Sequence, residues 1–304
     1  MKYKKINTAI LLIGFNRPEN IKRLLNILKK TRVSRLYISI DGPRKNNNLD
    51  QNLIDKHRIL IKNINWPCSV KALFNKKNLG CGKAVKNAID WFFRFEKQGI
   101  ILEDDLIPSN SFFFYCEELL NRYSKDDRIG MISGNNLTNF QFKKKSYLFS
   151  KHATTWGWAS WRRAWKNYEF YLNWNKSIEN KNIIRNGFVT NNFKSYLYSR
   201  IDYLVNRLVD TWDYQWSFTL YSQNQLCIIP KKNLVKNIGF DQSATHTKSK
   251  IKFLYNVKHE IQFPLIHQKY TCPDYDYDNI YEKLLGKRNY IPIFLKRLKK
   301  KLNL

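Results

Sequence analysis

Three consecutive acids, Glu103-Asp104-Asp105, follow the apolar run Gly99–Leu102 directly. Adjacent carboxylates repel one another, so three of them at the end of a buried strand call for a compensating positive charge. A hard divalent cation with oxygen ligands supplies it, and such a cation also bridges to a diphosphate and neutralises charge that builds there. The competing reading is a solvated acidic turn. Asp41 ends the apolar stretch Leu36–Ile40, and Arg17 lies just past Thr8–Phe15. An arginine so placed suits bidentate phosphate contact, and the aspartate suits accepting a hydrogen bond from a base ring. Trp212-Asp213-Tyr214-Gln215-Trp216 sets a carboxylate among large aromatics, which favours a raised pKa and general-base work. An aspartate in the first turn of a helix would read the same way. Trp156, Trp158, Trp161 and Trp165 either stack on a ring-shaped ligand or pack the core. His246, within Ala244-Thr245-His246-Thr247, is a late and isolated histidine, either a ligand or a surface residue.

These side chains need a scaffold, and the first 135 residues supply an alternating one. Thr8–Phe15, Leu36–Ile40, Ser69–Phe74, Ile100–Leu102 and Ile129–Ser133 read as strands. Helices are expected after Pro18 (Ile21, Leu24, Leu25 and Leu28 on one face), up to about Asn63, after the loop Asn78–Gly82, and from about Ser109 to Tyr123. Strand–helix alternation predicts βαβ units and a mostly parallel sheet, with ligands outside the carboxyl ends of the strands. Arg17, Asp41 and Glu103–Asp105 all fall at such ends. The second half is aromatic-rich, with a helix expected near Phe193–Leu208. The expected fold is therefore α/β, a Rossmann-like central sheet flanked by helices, with an aromatic-rich acceptor-side half and a C-terminal helical extension. One unit is expected over residues 1–250, with a nucleotide-binding half (1–135) and a catalytic half (136–250), followed by an extension over 251–304.

Of the 304 residues, 54 are Lys or Arg and 24 are Asp or Glu, a formal charge of +30. Such a surplus points to anionic partners: nucleic acid, a phosphorylated small molecule or an acidic membrane face. An apolar share of 43% and 15% aromatics exclude general disorder. The five cysteines form no CxxC pair, which argues against a zinc site or disulfide framework and fits a reducing compartment. Thr8–Phe15 is one strand long and stops at Asn16-Arg17-Pro18, so neither a signal peptide nor a membrane span is expected. No helix-turn-helix, zinc-finger or RNA-recognition signature accompanies the charge, and no specific nucleic acid is expected. No glycine-rich phosphate loop of the GxGxxG or GxxxxGK type is present. At the end of the chain, Ile291, Phe294, Leu295, Leu298 and Leu302 recur at helical spacing among Lys296, Arg297, Lys299, Lys300 and Lys301. That pattern suits a basic amphipathic helix on an anionic membrane surface, or a terminal helix docked on the protein.

Taken in order, Phe15-Asn16-Arg17, Ser39-Ile40-Asp41-Gly42, Ile101-Leu102-Glu103-Asp104-Asp105-Leu106, Trp156-Gly157-Trp158, Trp212-Asp213, Asn237-Ile238-Gly239-Phe240 and Thr245-His246 form a specific set. The set resembles bacterial GT-A nucleotide-diphospho-sugar transferases related to N-acetylglucosaminyltransferase I, over about residues 7–250. The resemblance implies a metal-dependent, inverting glycosyltransferase. Its donor would be a nucleotide-sugar, a UDP-sugar, and its acceptor a glycan or lipid-linked saccharide. It implies Mn2+ or Mg2+ held directly by Asp105, with His246 as a further ligand, and Glu103 and Asp104 facing ribose and sugar. Arg17 would contact the diphosphate and Asp41 the uracil. Asn78, Lys83 and Thr245 would belong to the donor site, with Thr245-His246 on a loop closing over it. Asp213 would be the catalytic base. The family carries a second acid beside the base where this chain has Tyr214 and Gln215, so Asp210 is a rival for that role. The implied location is the bacterial cytoplasm, at the inner face of the membrane if the basic tail binds there. The alternatives are a nucleotidyltransferase or other nucleotide-using enzyme, and a basic nucleic-acid-binding protein.

Overall fold

The run Ile10–Gly14 is apolar at every position and is buried at every position, as a strand covered on both faces must be. In the computed structural model, which describes residues 5–138, 140–142, 144–239 and 258–286, this strand (β1) lies near the middle of an eight-stranded sheet. Its neighbours are β2 (Arg35–Ile40) and β4 (Gln98–Glu103), both parallel to it, and β3 (Ser69–Phe74) pairs parallel to β2. The helices between them are α1 (Pro18–Lys30), α2 (Asn48–Lys62) and α3 (Cys81–Phe95). Proline at the start of α1 and an Asn47 cap on α2 set two of these starts, as turn chemistry requires.

After β4 the chain makes a short β5 (Leu106–Pro108), α4 (Asn110–Arg122), β6 (Ile129–Ser133), β7 (Tyr147–Ser150) and β8 (Trp158–Trp161). Next come α5 (Arg162–Trp165), α6 (Asn180–Asn186), α7 (Asn191–Val205), α8 (Asp213–Ser222), β9 (Leu226–Pro230) and β10 (Val235–Asn237). The sheet runs β3-β2-β1-β4-β8-β6-β9-β7, while β10 and β5 form a separate antiparallel ribbon. The sheet is parallel through β3-β2-β1-β4 and mixed beyond it, because β8 inserts antiparallel between β4 and β6 and β7 closes the far edge antiparallel to β9. The fold is thus the expected α/β, Rossmann-like arrangement, one large sheet with helices packed against it.

The tryptophan-rich segment packs the core. Trp158 stacks on Trp212 with ring centroids 5.5 Å apart, and Trp165 and Trp216 complete the cluster. All four are buried, and contacts of this kind contribute on the order of 1 kcal/mol each beyond the area they hide. This packing joins the strand β8 to the start of α8 and so fixes where Asp213 stands. Trp161 is also buried, and Trp156 is the partly exposed member.

Residues 258–286 wrap the same body and end in α9 (Tyr275–Gly286). Glu260 accepts hydrogen bonds from the backbone of Asn110 and Ser111 at the free start of α4. Glu282 is wholly buried and accepts from the backbone N–H groups of Val189 and Thr190, both at 2.6 Å, while pairing with His152 at 3.1 Å. Asp278 accepts from the Ser150 hydroxyl and the Lys151 N–H. The amphipathic pattern Ile291–Leu302 lies outside the described residues. Among those described, no helix is long and apolar enough to cross a membrane.

Candidate active site

β1 leads to β2 and β3 on one side, and the chain then returns to place β4 on the other side of β1. The crevice at this reversal, beyond the carboxyl ends of β1 and β4, is where open α/β sheets bind ligands. The register Ile13↔Glu103 sets the acidic turn level with the loop that carries Arg17. Arg17 Nη1 lies 3.4 Å from Asp104 Oδ1, so the two predicted groups meet across the crevice.

Glu103 ends β4 and Asp104 and Asp105 form the turn to β5, all three partly buried. Burial first, then the charges of Asp105, Asp213 and Asp104, push the Glu103 carboxyl well above the usual range. Asp104 is pushed up to about 7 by burial and by Asp105, with Arg17 opposing. A cluster whose carboxyls resist ionising together suits a cation. Among the described residues no three His, Cys, Asp or Glu side chains converge on one point. A hard cation held at this turn would take one or two carboxylates and complete its shell with water and phosphate oxygens, as Mg2+ does at phosphate sites. The ribbon β5–β10 seals this corner: Ile238 N–H donates to the Asp105 carbonyl at 2.8 Å. A Cβ on Gly239 would stand 2.2 Å from Asp105 Oδ2, so only glycine leaves that carboxylate its place.

Asp213 stands in the first turn of α8, where the helix-start reading of its sequence context puts it. Its Oδ1 accepts from the Thr211 hydroxyl and from the Tyr214 N–H, whereas Oδ2 has no hydrogen-bond partner among the described residues. It is near enough to Glu103 for its charge to raise that carboxyl, although 110 positions separate them. Asp210 is differently engaged. Its Oδ1 accepts from the Gly82 N–H at 2.9 Å, at the start of α3, where an anion satisfies a free donor and the helix dipole. Gly80, with φ of +81°, and Gly82 make room for it, since a Cβ at either would come within 2.8 Å of an Asp210 oxygen.

Asp41 is buried and its carboxylate orders a loop. It accepts from the N–H groups of Gly42 and Leu79 and from the side-chain amides of Asn75 and Asn78. Asn78 also donates to the Gly42 carbonyl. Any contact of Asp41 or Asn78 with a base would have to be made beside these internal bonds. Lys83, exposed on α3, lines a cavity next to Asp210 and Thr211. Thr245 and His246 lie outside the described residues.

Two residues of this site escaped the sequence reading. Cys81 begins α3 at an exposed position, and loss of hydration at its thiol together with the charges of Glu103, Asp210, Asp213 and Asp105 pushes that thiol up. Tyr168 donates to the Trp212 carbonyl at 3.0 Å and is also pushed up, by burial and then by Asp213. The glycine pair around Cys81 at a helix start was the available signal; nothing local marked Tyr168.

No protein-family model and no curated protein matches the chain. Among solved structures it is similar to HddC from Yersinia pseudotuberculosis, at 14% identity over 56% of this chain and 86% of that one, with a TM-score of 0.34. It is similar to the inositol-1-phosphate CTP transferase from T. maritima at 10% identity over 83% and 96%, TM-score 0.38. An apo UDP-glucose pyrophosphorylase is similar at 9% identity over 75% and 93%, TM-score 0.37. Likenesses this distant carry no argument about the reaction, which has to be made from the site.

Proposed function

We propose that this protein is a nucleotide-using enzyme and, more narrowly, a glycosyltransferase of the GT-A type acting on a UDP-sugar. The observation that carries the proposal is the meeting of Glu103–Asp105, Arg17 and Asp213 at one sheet crevice from distant parts of the chain. Arg17 binds the donor diphosphate, and Glu103 and Asp104 face ribose and sugar. Asp213 Oδ2 takes the proton from an acceptor hydroxyl. The hydroxyl oxygen then attacks the anomeric carbon from the face opposite the departing phosphate, the sugar–phosphate bond breaks, and its electron pair leaves with the nucleoside diphosphate. Thr211 and the Tyr214 N–H hold Asp213 in place through its other oxygen. A divalent ion at Asp105, Mn2+ or Mg2+, supplies neutralisation of the leaving diphosphate when bound.

The same sheet and acids would also serve nucleotidyl transfer to a sugar phosphate. The sugar-transfer reading is favoured by the first βα connection, Phe15-Asn16-Arg17-Pro18, which has no glycine-rich phosphate loop. Calorimetric titration of UDP-sugars, UTP and CTP with Mn2+, followed by product analysis, separates the two. Sugar transfer predicts metal-dependent UDP-sugar binding, lost in Asp105→Ala, and release of UDP on turnover. Pyrophosphate release from a nucleoside triphosphate and a sugar 1-phosphate, without turnover of UDP-sugars, would establish the other reading. Salt-sensitive DNA binding with no nucleotide-sugar affinity would overturn both.

The proposal extends to the basic tail, Ile291–Leu302, as a weak membrane anchor that brings the enzyme to lipid-linked acceptors, each basic residue contributing about 1 kcal/mol at an anionic surface. The intact protein should sediment with anionic vesicles, less at high salt, and a chain ending at Tyr290 should not.

A further inference from the structure

A cavity of about 570 Å3 opens beside the candidate base, with α3, the segment 170–176, the end of α7 and the start of α8 as its walls. Thr211 joins it to the active site, because this lining residue donates its hydroxyl to Asp213. Three properties of the lining define what fits. Lys83, Lys176 and Arg207 face a single lining acid, Asp210, whose Oδ1 is already engaged with the Gly82 N–H. Tyr171 is 63% exposed, its ring at right angles to that of Phe170, and offers aromatic surface of the kind on which the apolar side of a sugar ring stacks. Gln215 is only 3% exposed, its Nε2 donates to the Thr211 carbonyl, and its buried Oε1 has no hydrogen-bond partner among the described residues. A buried acceptor left unmatched is unfavourable, and a ligand hydroxyl would satisfy it.

We propose that this cavity is the acceptor subsite and that it takes a saccharide carrying an anionic group, phosphate or carboxylate. Ring hydroxyls bond Gln215 Oε1, the ring stacks on Tyr171, and the anion sits among Lys83, Lys176 and Arg207. The word acceptor rests on the sugar-transfer reading; the binding of an anionic saccharide does not.

The test uses the full chain without donor or metal, titrated calorimetrically with N-acetylglucosamine 1-phosphate, glucuronic acid and methyl glucoside. At least one anionic sugar should bind at least tenfold more tightly than the neutral one, less so at high salt, and the preferred member identifies the anion. The double variant Lys176→Gln/Arg207→Gln should lose at least tenfold for that sugar while binding UDP with Mn2+ as the parent does. Gln215→Leu should weaken anionic and neutral sugars alike. Equal affinity for anionic and neutral sugars, or an unaffected double variant, overturns the proposal. Displacement of the sugar by UDP with Mn2+ would put its anion at the donor site and overturn it too. If anionic sugars bind here but no UDP-sugar binds at Glu103–Asp105, the sugar-transfer reading falls and the subsite stands.

Discussion

Replacing Asp104 by asparagine should make the metal-free protein more stable, by an amount that grows with pH. The Asp104 carboxyl, with a side chain 11% exposed, is pushed from an ordinary 3.8 up to about 7, first by burial and then by Asp105. The sign follows from which state binds the proton more tightly. Below the ordinary value both folded and unfolded chains are protonated there and nothing is lost. As pH rises, the unfolded chain ionises first, and the folded state is progressively penalised until its own carboxyl ionises near 7. Such a displacement corresponds to roughly 4 kcal/mol in all, of which roughly 3 kcal/mol falls between pH 5 and pH 8. At about 2 °C per kcal/mol for a chain of this size, the Tm of Asp104→Asn should exceed that of the parent by on the order of 5 °C more at pH 8 than at pH 5. Differential scanning fluorimetry of both proteins across this range, in chelator, gives the measurement. A divalent ion competes with the proton, so Mn2+ with UDP should stabilise the parent more at pH 8 than at pH 5. A Tm difference that stays flat from pH 5 to pH 8 would mean that Asp104 ionises in the folded chain as it does in the unfolded one.

Asp213→Asn should lower transfer by about 10²–10⁴-fold while leaving UDP-sugar affinity unchanged, as read by turnover and calorimetry. Asp210→Ala should keep turnover but lose about 1 kcal/mol of stability in urea denaturation, because the Gly82 N–H at the start of α3 loses its acceptor. Gly239→Ala should weaken metal-dependent nucleotide binding roughly tenfold or more with the circular dichroism unchanged, since the new methyl displaces the Asp105 carboxylate. Glu282→Ala should lower stability by about 3–5 kcal/mol, because His152 and two N–H groups lose a fully buried partner. The neighbours that stabilise the ionised Glu282 — first His152, then Thr190 — outweigh its burial and hold its pKa down, so its contribution is present at neutral pH and fades as pH falls through the folded value.

Local pattern carried much of this molecule. Ser69–Phe74 and Ile129–Ser133 are legible to the residue, because each is a short stretch of strand-forming residues that falls between two expected helices, where the alternation calls for a strand. Pro18 and the Ile21, Leu24, Leu25, Leu28 face likewise fix α1. The alternation of these elements implies the parallel half of the sheet, and with it the edge at which Arg17 and Glu103–Asp105 meet. The tryptophans at 154–165 were ambiguous, since an aromatic that stacks on a sugar and one that packs a core have the same local sequence; contact with Trp212 and Trp216, more than 40 positions later, put Trp158 and Trp165 in the core.

What residue types and spacing determine by themselves is the strand-end chemistry: acids after β4, an arginine after β1, an aspartate in the first turn of a helix. Tertiary structure alone decides which of these groups share a charge environment. The engagement of Asp210 with the start of α3, the charge of Asp213 felt at Glu103, the bond from Asn75 to Asp41 and the contact of Glu282 with the N–H groups ahead of α7 all join positions 34 or more residues apart. A carboxylate's role depends on the donors and charges within a few ångströms of it, and those neighbours are set by how the layers pack, which no local spacing encodes.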